Sequence, residues 1–230
     1  GYAGRIRSGE QHHHGQYMVR HYRRVVEKAA EYEICLNVHE PIKATGISRT
    51  FPNMMTREGA RGMEWNAWST GNPPEHHVIL PFTRMLAGPM DYNPGIVDIL
   101  YENAGERMRW NSDSIAHTRV NTTLAKQLAL FVVFYSPMQM AADLPGNYKN
   151  YPQAMECISR VPVNWEISKV LHADIGEYIT IVRQDRHSED WWLGSITNEK
   201  EREFRIKPGF LEEGRHYRAK IYADGKRAGW

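Results

Sequence analysis

The sequence predicts an α/β layer followed by an antiparallel, β-rich segment. Three observations carry that prediction. An amphipathic helical stretch runs almost directly into a short apolar strand-like run, further helical stretches follow, and after Pro162 the texture changes to short segments with partial alternation.

The first helix is expected over residues 15–32, where Tyr17, Met18, Tyr22, Val25, Val26, Ala29 and Ala30 recur near a 3.6-residue period with charges between them. Ile34 to Val38, "ICLNV", is a nearly continuous apolar run, the pattern of a strand buried on both faces. A second helix is expected over Asn121 to Phe134, capped by Asn121 or Thr122. A third runs from Tyr151 to Val161, with Pro152 in the first turn, where its missing N–H costs nothing. Beyond a boundary near Val163, "GEYITIVRQ", "DWWLGSITN", "REFRIKPGF" and "RHYRAKIYADG" read as strands of an antiparallel sheet. The expected domains are thus residues 1–162 and 163–230.

The 230 residues are 41% hydrophobic, 24% charged and 11% aromatic, a composition of folded rather than disordered chains. Twenty-nine Lys and Arg stand against 27 Asp and Glu, and the basic residues are scattered, so nucleic acid is not an expected partner. No apolar run reaches the roughly 20 residues that cross a bilayer, and "GYAGRIRSGEQ" has no signal-peptide pattern. Both ends read as cut, since the chain starts at Gly1 without Met and stops within a β-like segment. Cys35 and Cys157 sit in apolar contexts and are expected to be buried free thiols. His12 to His14, consecutive in a polar loop, lack the spacing that converges ligands on one ion.

The chemistry concentrates between Asn37 and Asn66, "NVHEPIKATGISRTFPNMMTREGARGMEWN". Glu40 follows the strand run directly, at the edge where parallel sheets gather catalytic loops, and Pro41 stops the strand. Glu58 and Glu64 fall in a loop with Gly46, Gly59 and Gly62 and with bulky anchors, the composition of a folded functional loop. An acid taken alone is more often a solvated charge or a partner of Arg49, Arg57 or Arg61 than a functional group. Held together, such carboxylates need a cation, a proton or a donor to offset their repulsion. Oxygen ligation of calcium and the acid–base pair of glycoside hydrolysis both fit.

Those strings, with "NPPEHHVILPFTRMLAGPMDYNPG" and "PVNWEISKVLHADIGEYITIVRQ", closely resemble glycoside hydrolase family 97 over essentially the whole chain. The resemblance implies the second half of a (β/α)8 TIM barrel followed by part of a C-terminal antiparallel β-sandwich. It implies a calcium-dependent α-glucosidase or α-galactosidase acting on oligosaccharides, with an N-terminal part of the same protein packed on this chain and a periplasmic or secreted location. Carried over residue by residue, Glu40 is the base and a Ca2+ ligand, Glu58 a ligand, Glu64 the general acid and a ligand, and His39 a substrate-binding residue. Gly1 stands where retaining members place an Asp nucleophile, so the α-glucosidase type that inverts is expected. An acid needs a neutral carboxyl, and Trp65 or Trp68 is the candidate apolar wall for Glu64. Half a barrel leaves strand edges unpaired, so the chain alone is expected to be inactive.

Two other classes compete. Trp191 and Trp192 could stack on sugars in a non-catalytic binding piece, although neighbours on a strand face opposite sides and one should be core. A histidine-dependent metallohydrolase using His39, His76 and His77 lacks the helical i, i+4 pair.

Overall fold

The computed structural model describes residues 11–67, 69, 71–99 and 120–225. The first helix, α1 (Gln16–Glu31), buries Met18, Tyr22 and Val26, one stripe of the expected face. It ends through a left-handed Glu33 (φ 56°), with the Ile34 N–H donating back to Ala29 O at 2.9 Å. The chain then enters β1 (Leu36–Val38), which pairs in parallel with β2 (Met54–Arg57). Between them lies one helical turn, α2 (Ile47–Thr50), entered through Gly46 at φ 76°.

The parallel strip continues beyond β2. Arg57 bridges Met90 in parallel, the Asp91 N–H donates to Arg57 O at 2.9 Å, and the Met90 N–H donates to Tyr135 O at 3.1 Å. Successive segments therefore end side by side on one edge. β1 itself is half-buried along its length, not buried on both faces as its apolar run suggests, because among the described residues only β2 pairs with it; Ile34 just before it is 53% exposed. Cys35 is likewise exposed, whereas Cys157 is buried and its thiol is pushed up to about 11, chiefly by desolvation.

Short turns and α3 (Pro74–Ile79) lead toward α4 (Leu124–Val133), whose N-cap is Thr123 and not Asn121 or Thr122. Thr123 Oγ accepts from the Lys126 N–H at 3.2 Å, and Asp224 adds a second cap by accepting from Thr123 Oγ (2.7 Å) and the Ala125 N–H (3.3 Å). A carboxylate there meets the positive end of the helix. Then come α5 (Pro145–Asn150) and α6 (Pro152–Arg160), with Pro152 in the first turn as expected.

Three antiparallel strands complete the fold in the order β3 (Trp165–Asp174), β4 (Tyr178–Asp185), β5 (Trp191–Thr197). The segments "REFRIKPGF" and "RHYRAKIYADG" form no strands. Side chains hold the first of them against the sheet instead: Phe204 lies beside His172 and Tyr178, and Phe210 beside Trp191. Strand β3 has almost no burial signal, since most of it is exposed, and its alternation is correspondingly weak in the sequence. No second sheet of a sandwich occurs among the described residues.

One core crosses the expected boundary near Val163, joining Val78, Met90, Tyr92, Leu130 and Phe134 to Ile179, Ile181 and Ile196. Arg183 of β4 locks the two parts. Its buried guanidinium donates to Val132 O (2.7 Å) and Val133 O (3.3 Å) at the end of α4 and to Ser168 Oγ (2.6 Å). Burial lowers its pKa to about 10, which leaves it charged at neutral pH and complementary to the helix C-terminus.

Candidate active site

The edge where β1 and β2 end collects the chemistry. β1 continues into His39 and Glu40, β2 into Glu58, and a single 3-10 turn, Met63–Ala67, carries Glu64. That turn is pinned from behind by a buried polar network. The Met63 N–H donates to Tyr92 O (2.9 Å), the Asn72 N–H to Asn66 Oδ1 (2.7 Å), and the Asn72 amide to Gly62 O (2.9 Å) and to the Tyr92 hydroxyl (3.2 Å). The Tyr92 hydroxyl lies 2.6 Å from His77 Nε2, and burial keeps His77 well below its ordinary pKa, so a neutral imidazole and the hydroxyl share one hydrogen bond.

His39 stands at the centre. Its Nδ1 is 3.9 Å from a Glu58 oxygen and 3.8 Å from a Glu64 oxygen, while Nε2 lies 2.7 Å from Asp91 Oδ2. One ligand atom each from His39, Glu58 and Glu64 falls within 4.8 Å of the other two. Glu40 is adjacent without joining that trio: its N–H donates to Glu58 Oε2 at 3.3 Å. It holds φ 48°, a left-handed conformation that costs a non-glycine residue about 1–3 kcal/mol.

Asp91 is the residue that reading the sequence missed. Its side chain is 1% exposed and also accepts from Asn37 Nδ2 at 2.6 Å, and the Asn93 amide donates to both its oxygens when oriented to satisfy both groups. The only signal was an acid inside the otherwise apolar approach "AGPMDY". Arg84 was missed too. Its guanidinium donates to Arg57 O (2.8 Å) and Glu58 O (2.7 Å) and fixes the backbone that presents Glu58.

These contacts set the electrostatics. The Asp91 hydrogen bond raises the His39 pKa, opposed by burial and helped by the charges of Glu58, Asp91 and Glu64. Burial raises Glu58, the Glu40 N–H and His39 oppose it, and the charges of Glu64 and Glu40 add to it. Glu64 is different, with a side chain 56% exposed, so the expected apolar wall does not cover it; Trp65 is itself 37% exposed, with Arg61 over its ring, and Trp68 lies outside the described residues. Glu58 and Glu64 pair with His39, while Arg57 spends its guanidinium on Ile42 O and Ala87 O.

Asp91→Asn should therefore move the His39 titration, followed by NMR, to lower pH. A histidine whose folded pKa is raised contributes stability that is full below its unfolded pKa and fades as pH rises through the folded one. The stability that Asp91→Asn removes should thus be larger near pH 6 than near pH 9 by denaturant unfolding. Equal losses at both pH values would rule out the Asp91–His39 coupling.

The group fits a divalent ion. Half-buried Glu58 and exposed Glu64 face the same point, so a cation there would offset the repulsion between their carboxylates. Their oxygens suit calcium, whereas Nδ1 of an imidazole backed by a carboxylate through Nε2 is the arrangement of transition-metal ligands.

Two successive family models match this chain, "Glycoside hydrolase 97" over residues 1–60 and "Glycosyl-hydrolase 97 C-terminal, oligomerisation" over residues 164–229. The chain belongs to glycoside hydrolase family 97. A family 97 enzyme from Pseudoalteromonas sp., solved in complex with acarbose and, as a variant, with panose, is 48% identical with a TM-score of 0.78, over 88% of this chain and 30% of that one. A retaining α-galactosidase of Bacteroides thetaiotaomicron is 34% identical over 207 residues, 89% of this chain and 30% of its own length. A probable retaining α-galactosidase of Streptomyces bingchenggensis is 28% identical over 76% of this chain and 24% of its own. The chain spans less than a third of the length of each.

Gly1, on which the inverting reading turns, is outside the described residues. The competing readings lose their geometry. Trp192 packs against the core and against a second cluster around Leu128 and Tyr148, and Trp191 is covered by Phe210 and Lys169, so the pair offers no open stacking platform. His76 bonds Arg61 O and His77 bonds Tyr92, and neither belongs to the His39 group.

Proposed function

We propose that this chain supplies the acid-bearing half of the active site of a calcium-assisted α-glucoside hydrolase, with its parallel strip forming the second half of a (β/α)8 barrel. The observation that carries this is the convergence of His39, Glu58 and Glu64 within 4.8 Å at the edge where parallel strands end. Catalytic loops gather at that edge in barrels of this kind.

In this reading Glu64 protonates the departing glycosidic oxygen, Glu40 takes the proton of the attacking water, and His39 hydrogen-bonds the sugar. Glu58 and Glu64, with Glu40 beside them, hold calcium, which when bound supplies positive charge that keeps carboxylates ionised and draws in sugar hydroxyls. His39 serves substrate in preference to metal, since calcium favours the oxygen ligands beside it and Asp91 holds the far side of its ring. Two demands on Glu64 conflict: ligation favours the ionised carboxyl and proton donation needs the neutral one. Its exposed position leaves room for a bound sugar to displace water from it, the change of surroundings that separates the two roles.

The α-glucoside assignment is supported by the 48% identical Pseudoalteromonas enzyme, whose complexes contain panose and acarbose. An α-galactosidase is the second reading, favoured by the 34% identical Bacteroides relative. Inversion rests on Gly1 alone, and both curated relatives carry the word retaining in their names.

Full-length enzyme carrying this chain should hydrolyse p-nitrophenyl α-glucoside faster than the α-galactoside, lose activity to a chelator, and regain it with calcium. The first sugar anomer seen by NMR fixes the stereochemistry. Faster galactoside turnover would replace the first reading by the second, and activity indifferent to chelation would remove the metal.

A further inference from the structure

We propose that Tyr22 is a positioning residue that holds the backbone of Glu40 in its left-handed conformation and so aims the Glu40 carboxylate; the inference rests on the glycosidase reading of Glu40. Tyr22 lies in the middle of α1 and is 7% exposed. Its hydroxyl donates to Glu40 O at 2.6 Å, and His13 Nε2 reaches the same oxygen at 2.8 Å. On the other side of the residue the Glu40 N–H donates to Glu58 Oε2 at 3.3 Å. Both backbone polar groups of one strained residue are therefore gripped, each from a different element.

The grip matters because the neighbourhood is not packed solid. A cavity of 580 Å³ lies between α1 and the loop after Glu40, lined by Val19, Tyr22, Val26, Pro41, Ile42 and Met54 among others. A residue at φ 48°, whose neighbour Pro41 lines that cavity, relaxes toward negative φ unless something holds it. Turning that peptide swings the attached Cα–Cβ bond and moves the carboxylate relative to His39 and Glu58. Burial raises the Tyr22 pKa, so the hydroxyl keeps the proton it donates. The phenol ring packs with Met18 and Val26 along the buried stripe of α1, which fixes where the hydroxyl points.

The test compares Tyr22→Phe, Glu40→Gln and wild type in the full-length enzyme. Tyr22→Phe removes one oxygen and keeps the ring. The expected result is a kcat lower by about 10- to 100-fold, the scale of a misplaced catalytic group, with KM within about twofold and an unchanged thermal midpoint. A crystal structure of the variant should show Glu40 at negative φ. Wild-type kcat in Tyr22→Phe beside an inactive Glu40→Gln would overturn the positioning role while leaving Glu40 as base. A fall in kcat matched by a fall in thermal midpoint, with Glu40 unmoved, would also overturn it, as a purely structural effect. Full activity in Glu40→Gln would remove the reading beneath the inference, and the inference with it.

Discussion

Glu64→Gln in the full-length enzyme should lower kcat on an oligosaccharide by about 100- to 10,000-fold, the usual worth of a general acid. Its loss on p-nitrophenyl glycosides should be much smaller. A sugar leaving group needs a proton as the bond breaks, whereas a nitrophenolate departs without one, so only the first reaction depends on the acid. Glutamine keeps the size of the side chain, and Glu64 sits 56% exposed on a turn fixed by Asn66, Asn72 and Tyr92, so the fold should not change. Glu40→Gln should differ in kind, depressing both substrates alike, because a base acts whatever the leaving group is. Equal losses on both substrates in Glu64→Gln would show that residue to act through the metal or the sugar and not as the proton donor.

Gly194→Ala should lower stability by about 1–3 kcal/mol, the range for forcing extra volume into a packed core. A Cβ at Gly194 would lie 2.9 Å from Val132 Cβ, 3.0 Å from Ala129 O and 3.1 Å from Val133 Cγ2. Two of those atoms belong to side chains of α4 and one to its backbone, so relief requires the helix to move off β5. Moving it also lengthens the Arg183 bonds to Val132 O and Val133 O, which couples the loss to the helix end. Denaturant unfolding of the chain measures it. Stability within about 0.5 kcal/mol of wild type, the usual scatter of neutral substitutions, would mean that α4 and β5 are not in such close contact.

Periodicity made α1 and α6 legible within a few residues, because each buries one stripe and the spacing of Met18, Tyr22 and Val26 is visible as spacing, whereas α4, buried on most sides, was legible as a long apolar run behind capping residues. Strand β3 was not legible. It is mostly exposed, and a strand with little burial carries little alternation. The reverse error befell Arg202 to Phe210, where alternation reflects side chains such as Phe204 resting on the sheet without a backbone ladder. In the site, Glu58 and Glu64 were found from their place in a loop and from family resemblance. His39 could be named but its central position could not, since that depends on Asp91, 52 residues away, turning its Nδ1 toward both carboxylates. The grip of Tyr22 on Glu40 was hidden for a similar reason: in a helical pattern Tyr22 counts only as an apolar position.

The most direct test of the site is titration of this chain with calcium and, separately, zinc by calorimetry, for wild type and Glu58→Gln. One calcium ion per chain is expected, bound tighter than zinc, with at least a tenfold loss in Glu58→Gln, which corresponds to about 1.4 kcal/mol. Zinc binding tighter than calcium would transfer the site to a ligand set built on His39, and calcium affinity equal in both proteins would show that these carboxylates do not hold an ion together.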